Sequence, residues 1–183
     1  KDATIYESRN SSNSSRYRGY YKQDNNFNAR LINFSRTSSE SLNFVSGGFS
    51  VTPELTTPKL TAFQWKTNAD TEITINGSTS TKTGSAGTTG THSYTVVGGQ
   101  VNLANPFAGH IGELVFYHTQ LNSAQMKLVQ NYLSSKYNIS IGSLLRYNFT
   151  ATYGNDVAGI GRDNLTNQHL SAQGTGIVEV TAS

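Results

Sequence analysis

The chain predicts an all-β fold, an antiparallel two-sheet sandwich of the jelly-roll kind with one short helix toward its C-terminal side. Three observations predict it. Short segments rich in β-branched and aromatic residues alternate with turn residues at small intervals, the pattern of sandwiches and jelly rolls. Ser, Thr and Asn make up about a third of the 183 residues, and charged residues are 14% against about a quarter in average domains. That balance suits an extracellular β-protein with many polar turns and with hydroxyl side chains on the solvent side of its strands. Finally, a capping signature at Asn122 to Gln125 opens an apolar stripe at helical spacing.

From the N-terminus, Ala3-Thr4-Ile5-Tyr6-Glu7 alternates as a strand, the polar run Ser8 to Ser15 reads as a loop, and Tyr17 to Tyr21 resumes a strand. Further strands fall near Ala29–Ser35, Leu42–Val45, Lys59–Lys66, Thr71–Asn76, Ser78–Thr83, Ser93–Val97 and Ile111–Tyr117. Asn76-Gly77 is the clearest hairpin turn, because both central residues of a type I′ turn need positive φ. Gly84 to Gly90 reads as a loop; it lacks the Gly-Lys-Ser/Thr ending and the following helix of a phosphate cradle. In the last strand Ile111, Val115 and Tyr117 take one face and Leu114 and Phe116 the other, so both faces are expected to be covered.

The helix follows at once. Asn122 is its N-cap, Gln125 completes a capping box, and Leu121 with Met126 has the spacing of a hydrophobic staple. Met126, Val129, Leu133 and Tyr137 form the stripe by which the helix is expected to pack on a sheet. Beyond Ile139 the character changes, with Leu144, Leu145, Tyr147 and Phe149 in a new segment, and the boundary is placed at residues 141–143. Residues 1–141 then form one domain, and 142–183 are too few for a core of their own.

Several classes are set aside by composition. There is no cysteine, so neither a disulfide framework nor a thiolate metal site is available. The net charge is +3 and the pI near 9.1, but Lys and Arg are dispersed, which speaks against nucleic acid as a partner. No apolar run has the length of a membrane span. With Lys1 first and no signal-like block, the chain reads as a piece of a longer polypeptide.

The stretch Pro106-Phe107-Ala108-Gly109-His110-Ile111-Gly112-Glu113-Leu114-Val115-Phe116-Tyr117, then Leu121-Asn122-Ser123 and Tyr132-Leu133-Ser134-Ser135-Lys136-Tyr137, resembles the C-terminal part of laminin-G-like, concanavalin A-like jelly rolls in large surface proteins of Bacteroidetes-type bacteria. Asn138 stands where that pattern has glycine, and it is the non-glycine residue best suited to a left-handed helix end. Glu72 to Gly77 and Tyr94 to Gly99 resemble two further strands of the family. Gly154 to Asp163 is similar to the opening of the β-rich module that follows such jelly rolls, which would make 142–183 the start of that module. The resemblance is firm from about Leu60 to Tyr137. It implies that the family's first strands are missing from 1–141, leaving an edge near Ala3–Glu7 for another segment of the same polypeptide.

Candidate chemistry is thin. Glycosidases of this superfold need closely spaced carboxylates, and no E-x-D-x-x-E pattern exists. Glu113 is expected to be a structural, hydrogen-bonded strand residue, and Glu72 precedes an ordinary hairpin. His92, His110, His118 and His169 have no metal-ligand spacing. The resemblance implies calcium at the sandwich rim, for which Asp24 and Asp70 are the available carboxylates; both also fit ordinary Asx turns. Trp65 reads as core.

Arg16-Tyr17-Arg18-Gly19-Tyr20-Tyr21 is the densest aromatic and basic cluster. Aromatic faces stack on sugars and arginines bind acidic or hydroxyl-rich groups, so Arg16, Tyr17, Arg18, Tyr20 and Tyr21 are the candidate ligand-binding residues. A strand with core-facing Tyr and outward Arg explains the same letters. The resemblance implies a non-catalytic adhesion module, recognising glycans or another cell-surface ligand, in a protein carried to the bacterial surface by a dedicated (type IX) secretion machinery. A structural spacer and a glycoside hydrolase are the alternatives.

Overall fold

The computed structural model describes residues 2–9, 15–22, 28–37, 39–40, 43–46, 58–64, 71–82, 93–146, 159–173 and 179–181. It is strand-rich and antiparallel, with one α-helix among the described residues. The chain divides into two units, one of 1–57, 62–74 and 79–115 and the other of 58–61, 75–78 and 116–183.

The first unit is built on a six-stranded sheet. β1 (Asp2–Arg9), β2 (Ser15–Lys22) and β3 (Asn28–Thr37) run as a meander. The outer side of β3 takes β4 (Ser39–Glu40) and β5 (Asn43–Ser46). Pairing is antiparallel throughout, as short loops between consecutive strands require. β6 (Thr61–Gln64), β7 (Thr71–Ile75) and β8 (Ser78–Lys82) form a separate three-stranded sheet in the order β6-β7-β8. The chain then returns as β9 (Tyr94–Val97), which pairs with β1, so β1 lies inside the sheet and the open edge expected near Ala3–Glu7 is instead taken by a later strand of the same chain. The spatial order β9-β1-β2-β3 is that of a Greek key, three consecutive strands with a later one laid beside the first.

One β-bulge sets the register of this sheet. Thr4 pairs with Tyr20 and Tyr6 with Gly19, leaving Ile5 as the extra residue. The loop after β9 closes on the same place: Gly98 N–H donates to the Ile5 carbonyl at 2.7 Å and Thr4 N–H to the Asn105 carbonyl at 3.0 Å. Tyr6, 5% exposed, meets Phe63 edge to face with ring centroids 6.1 Å apart. On β7, Ile73, Thr74 and Ile75 are buried in succession, so this central strand is covered on both faces. The Thr74 and Thr79 hydroxyls share a hydrogen bond of 2.9 Å from β7 to β8.

In the second unit the Asn76-Gly77 turn takes the expected type I′ geometry, with φ of 47° and 83°. Asn76 also clasps Leu60, donating its N–H to the Leu60 carbonyl and accepting the Leu60 N–H on Oδ1, both at 2.9 Å. Gly77 lies against the backbone of Ile141, itself 2% exposed.

α1 (Ser123–Tyr137) starts and stops where the sequence says. Asn122 Oδ1 accepts the Gln125 N–H at 2.9 Å, Gln125 Oε1 accepts the Asn122 N–H at 3.0 Å, and Asn138 ends the helix at φ 52°. Its packing differs from the expectation. Met126, Val129 and Leu133 are half-buried and Tyr137 is 37% exposed, whereas Ala124, Gln130, Asn131, Ser134 and Ser135 are buried. At 100° per residue that buried face is turned roughly a third of a revolution from the apolar stripe, and hydrogen bonds from Asn131 and Ser134 tie it to the chain that follows the helix. Asn131, 1% exposed, is the centre of them: Nδ2 donates to the carbonyls of Lys127 (2.8 Å) and Leu144 (2.9 Å), and Oδ1 accepts the Arg146 N–H (2.6 Å). The amide thus fastens the 3-10 turn Gly142–Leu144 to the helix. Asn131→Ala should cost about 2–3 kcal/mol in denaturant unfolding, since it strands buried partners as well as losing bonds.

The tail docks on the same helix. β10 (Gly161–Arg162) and β11 (Gln168–His169) form a ribbon that packs on α1, and β12 (Ser171–Gln173) pairs with β13 (Glu179–Thr181). Asn122 Nδ2 donates to the Gln168 carbonyl at 3.1 Å. The Asp163 carboxylate accepts from Ser123 Oγ at 2.6 Å and from Lys127 Nζ at 2.9 Å. These bonds, that of Ser123 first, hold the Asp163 carboxyl below its usual pKa. A lowered folded pKa gives a contribution that is complete above the ordinary aspartate value and is lost as pH falls through the lowered one. The stability advantage of the parent over Asp163→Asn, read from unfolding midpoints across pH, should therefore shrink at the acid end.

One expected strand does not form. Residues 110–117 carry no ladder, and Ile111, Leu114, Val115, Phe116 and Tyr117 are 36–57% exposed instead of covered on both faces. Apolar alternation gives a segment the capacity for a strand; the strand itself requires a neighbour to complete its ladder. Glu113 is likewise exposed and outside any strand, not a buried strand residue.

Candidate binding surface

β2, which carries the aromatic and basic cluster, is an interior strand paired with β3 from Ser15 to Lys22 and with β1 from Arg16 to Lys22. Successive residues of a strand alternate between the two faces of its sheet, so the register sorts the cluster. Arg16, Arg18 and Tyr20 occupy one set of alternate positions, and Tyr17, Gly19 and Tyr21 the other. Tyr17 and Tyr21 thereby share a set with Tyr6, which is buried.

Extended across the sheet, the same sorting separates charge completely. The set containing Tyr6 holds no charged residue in any of the six strands. The other set holds the cations Arg9, Arg16, Arg18, Lys22, Arg30 and Arg36 and the acids Asp2, Glu7 and Glu40. The bulge at Ile5 is what brings Asp2 to the same side as Glu7 and Arg9.

Three rows cross the charged side. In the first, Tyr94, Arg9, Arg16 and Phe34 are direct cross-strand neighbours. In the second, Val96, Glu7, Arg18 and Ile32 are; in the third, Thr4, Tyr20 and Arg30. Exposure differs along β1. Thr4 and Glu7 are 0% and 1% exposed, Arg9 is half-buried, and Tyr94 is 51% exposed. In the first row Arg9 is paired with Arg16; in the second, Arg18 is opposite a buried acid. Arg9, Arg30 and Tyr94 escaped the sequence reading because only the register gathers them, although the charge alternation within each strand is legible in the letters.

The remaining candidates do not join this surface. Asp24 and Asp70, offered for calcium, and His92 and Trp65 lie outside the described residues. His110 and His118 are exposed on the segment before α1, and His169 is half-buried in β11. Glu72 is half-buried in β7. Among the described residues no three His, Asp or Glu side chains gather as a metal group would need, and no helix is long and apolar enough to cross a membrane. In comparisons with protein-family models, curated proteins and solved structures, nothing matches this chain.

Proposed function

We propose that this chain is a non-catalytic, glycan-binding module of a large secreted bacterial surface protein, with the two-sheet jelly roll of the laminin-G-like, concanavalin A-like domains as its full architecture. The observation that carries the binding reading is the charge-segregated sheet, in which a neutral side bearing Tyr6, Tyr17 and Tyr21 is opposed to one whose strand positions hold five arginines with Tyr20 and Tyr94. Saccharides are recognised by that combination, ring faces for the C–H surface and guanidinium groups for hydroxyls and acids. The Greek-key order and the Tyr6–Phe63 contact support the sandwich. A surface module meets its ligand outside the cell and meets the secretion machinery on the way there.

A glycan array probed with the purified chain and with a Tyr20→Ala, Tyr94→Ala double variant, both positions on the charged side, tests this reading. Binding that the double variant loses while keeping its unfolding midpoint is the expected result. An array without any bound glycan would favour a spacer that presents other modules, and cleavage of an arrayed glycan would move the assignment to a hydrolase.

A further inference from the structure

We propose that two copies of this chain associate through Leu103, which one copy sets against the exposed apolar stretch 111–115 of the other. The inference goes beyond the glycan reading and does not depend on it. Leu103 is held in the left-handed region at φ 61°, where a branched side chain meets a backbone resistance that glycine and asparagine escape. The other non-glycine residues with positive φ among the described ones, at 76, 105 and 138, are all asparagine. Leu103 is also 86% exposed, so no packing within its own chain compensates. The backbone around it is nevertheless well bonded. Leu103 N–H donates to the Gln100 carbonyl at 2.8 Å, Gln100 N–H to the Ala104 carbonyl at 3.1 Å and Phe107 N–H to the Gly98 carbonyl at 2.9 Å, and Gln100 is buried. The tip is thus a preformed apolar knob that loses little freedom on contact. Strain that neither backbone preference nor internal packing explains belongs to a contact made outside the chain.

The same chain carries a surface that suits the knob. Ile111, Leu114 and Val115, apolar side chains whose pattern calls for cover, are 36–44% exposed. Covering them with Leu103 removes apolar surface of both copies from water. Charge does not oppose the meeting: residues 98–109 include no Lys, Arg, Asp or Glu, and the one charge in 111–115, Glu113, is opposite in sign to the net +3 of the chain. Without a basic residue the loop also lacks what draws a segment to a lipid surface. Knob and stretch exchanged reciprocally between two copies close a two-fold dimer.

The test is sedimentation velocity of the full chain over a wide range of concentration, beside Leu103→Asn, Val115→Asn and Leu165→Asn, with the thermal unfolding of each recorded in dilute solution. Leu165, 74% exposed, lies in the other unit, so its replacement removes an equal side chain elsewhere. Ile111→Asn takes the place of Val115→Asn if that variant fails to fold. The parent is expected to pass from monomer to dimer as concentration rises. Leu103→Asn should weaken the dimer about tenfold or more and Val115→Asn about threefold or more, while Leu165→Asn should change it less than about twofold. The unfolding midpoint of Leu103→Asn should equal or exceed that of the parent, because asparagine accepts the left-handed backbone. A lowered midpoint would make Leu103 a folding residue and overturn the proposal. A parent that stays monomeric would overturn it as well, as would equal weakening in Leu103→Asn and Leu165→Asn. A folded Val115→Asn or Ile111→Asn chain that dimerises like the parent would overturn the assignment of 111–115 as the receiving surface.

Discussion

Replacing Ile73 by alanine is expected to lower the stability of the first unit by about 2–5 kcal/mol, the cost of deleting a large aliphatic side chain from a site that cannot collapse. Ile73 has no exposed surface, and it sits on the middle strand of β6-β7-β8 between residues that are also shielded. Ile73→Val should cost far less, about 0.5–1.5 kcal/mol. Equilibrium urea unfolding followed by tyrosine and tryptophan fluorescence gives both values. An alanine variant within experimental error of the parent would mean that β7 is not a central, doubly covered strand.

Gly77→Ala should be nearly as damaging for a different reason. Its φ of 83° is one that a side chain resists, at about 1–2 kcal/mol, and a Cβ there would also run into the carbonyl of Ile141. With the backbone shift added, about 3 kcal/mol is expected in the same unfolding experiment. Ser78→Ala, one residue on and exposed, is the control and should be close to neutral.

These positions also mark what a sequence can and cannot reveal. The Asn76-Gly77 turn and the Asn122–Gln125 box are local devices, fixed by side chains that bond their own backbone within a few residues, and both form as read. Strands β1 to β3 and β5 to β9 fall within a few residues of their expected places, because turn residues bracket them. What depends on a distant partner was less legible. The segment 110–117 has the letters of a buried strand without a ladder. On α1 the stripe Met126, Val129 and Leu133 is apolar, yet the buried positions lie on another face, where Asn131 and Ser134 hydrogen-bond to the chain after the helix. The candidate surface shows the same limit: Arg16 and Arg18 stand out in the sequence, but their different neighbours, Arg9 and Glu7, follow only from the register of β1 against β2.

That register is the claim on which the binding surface depends, and disulfide trapping measures it directly. The chain has no cysteine of its own, so an introduced pair can only react with itself. Directly opposed residues of antiparallel strands have Cα atoms about 4.5–5.5 Å apart, within the span of a disulfide. Arg9→Cys with Arg16→Cys should oxidise readily to an intramolecular bridge, seen as the loss of two hydrogens in the intact mass. Arg9→Cys with Tyr17→Cys, one residue out of register, places the thiols on opposite faces and should stay reduced under the same conditions. Rapid bridging of the second pair with none in the first would contradict the register, and with it the row that sets Arg9 beside Arg16.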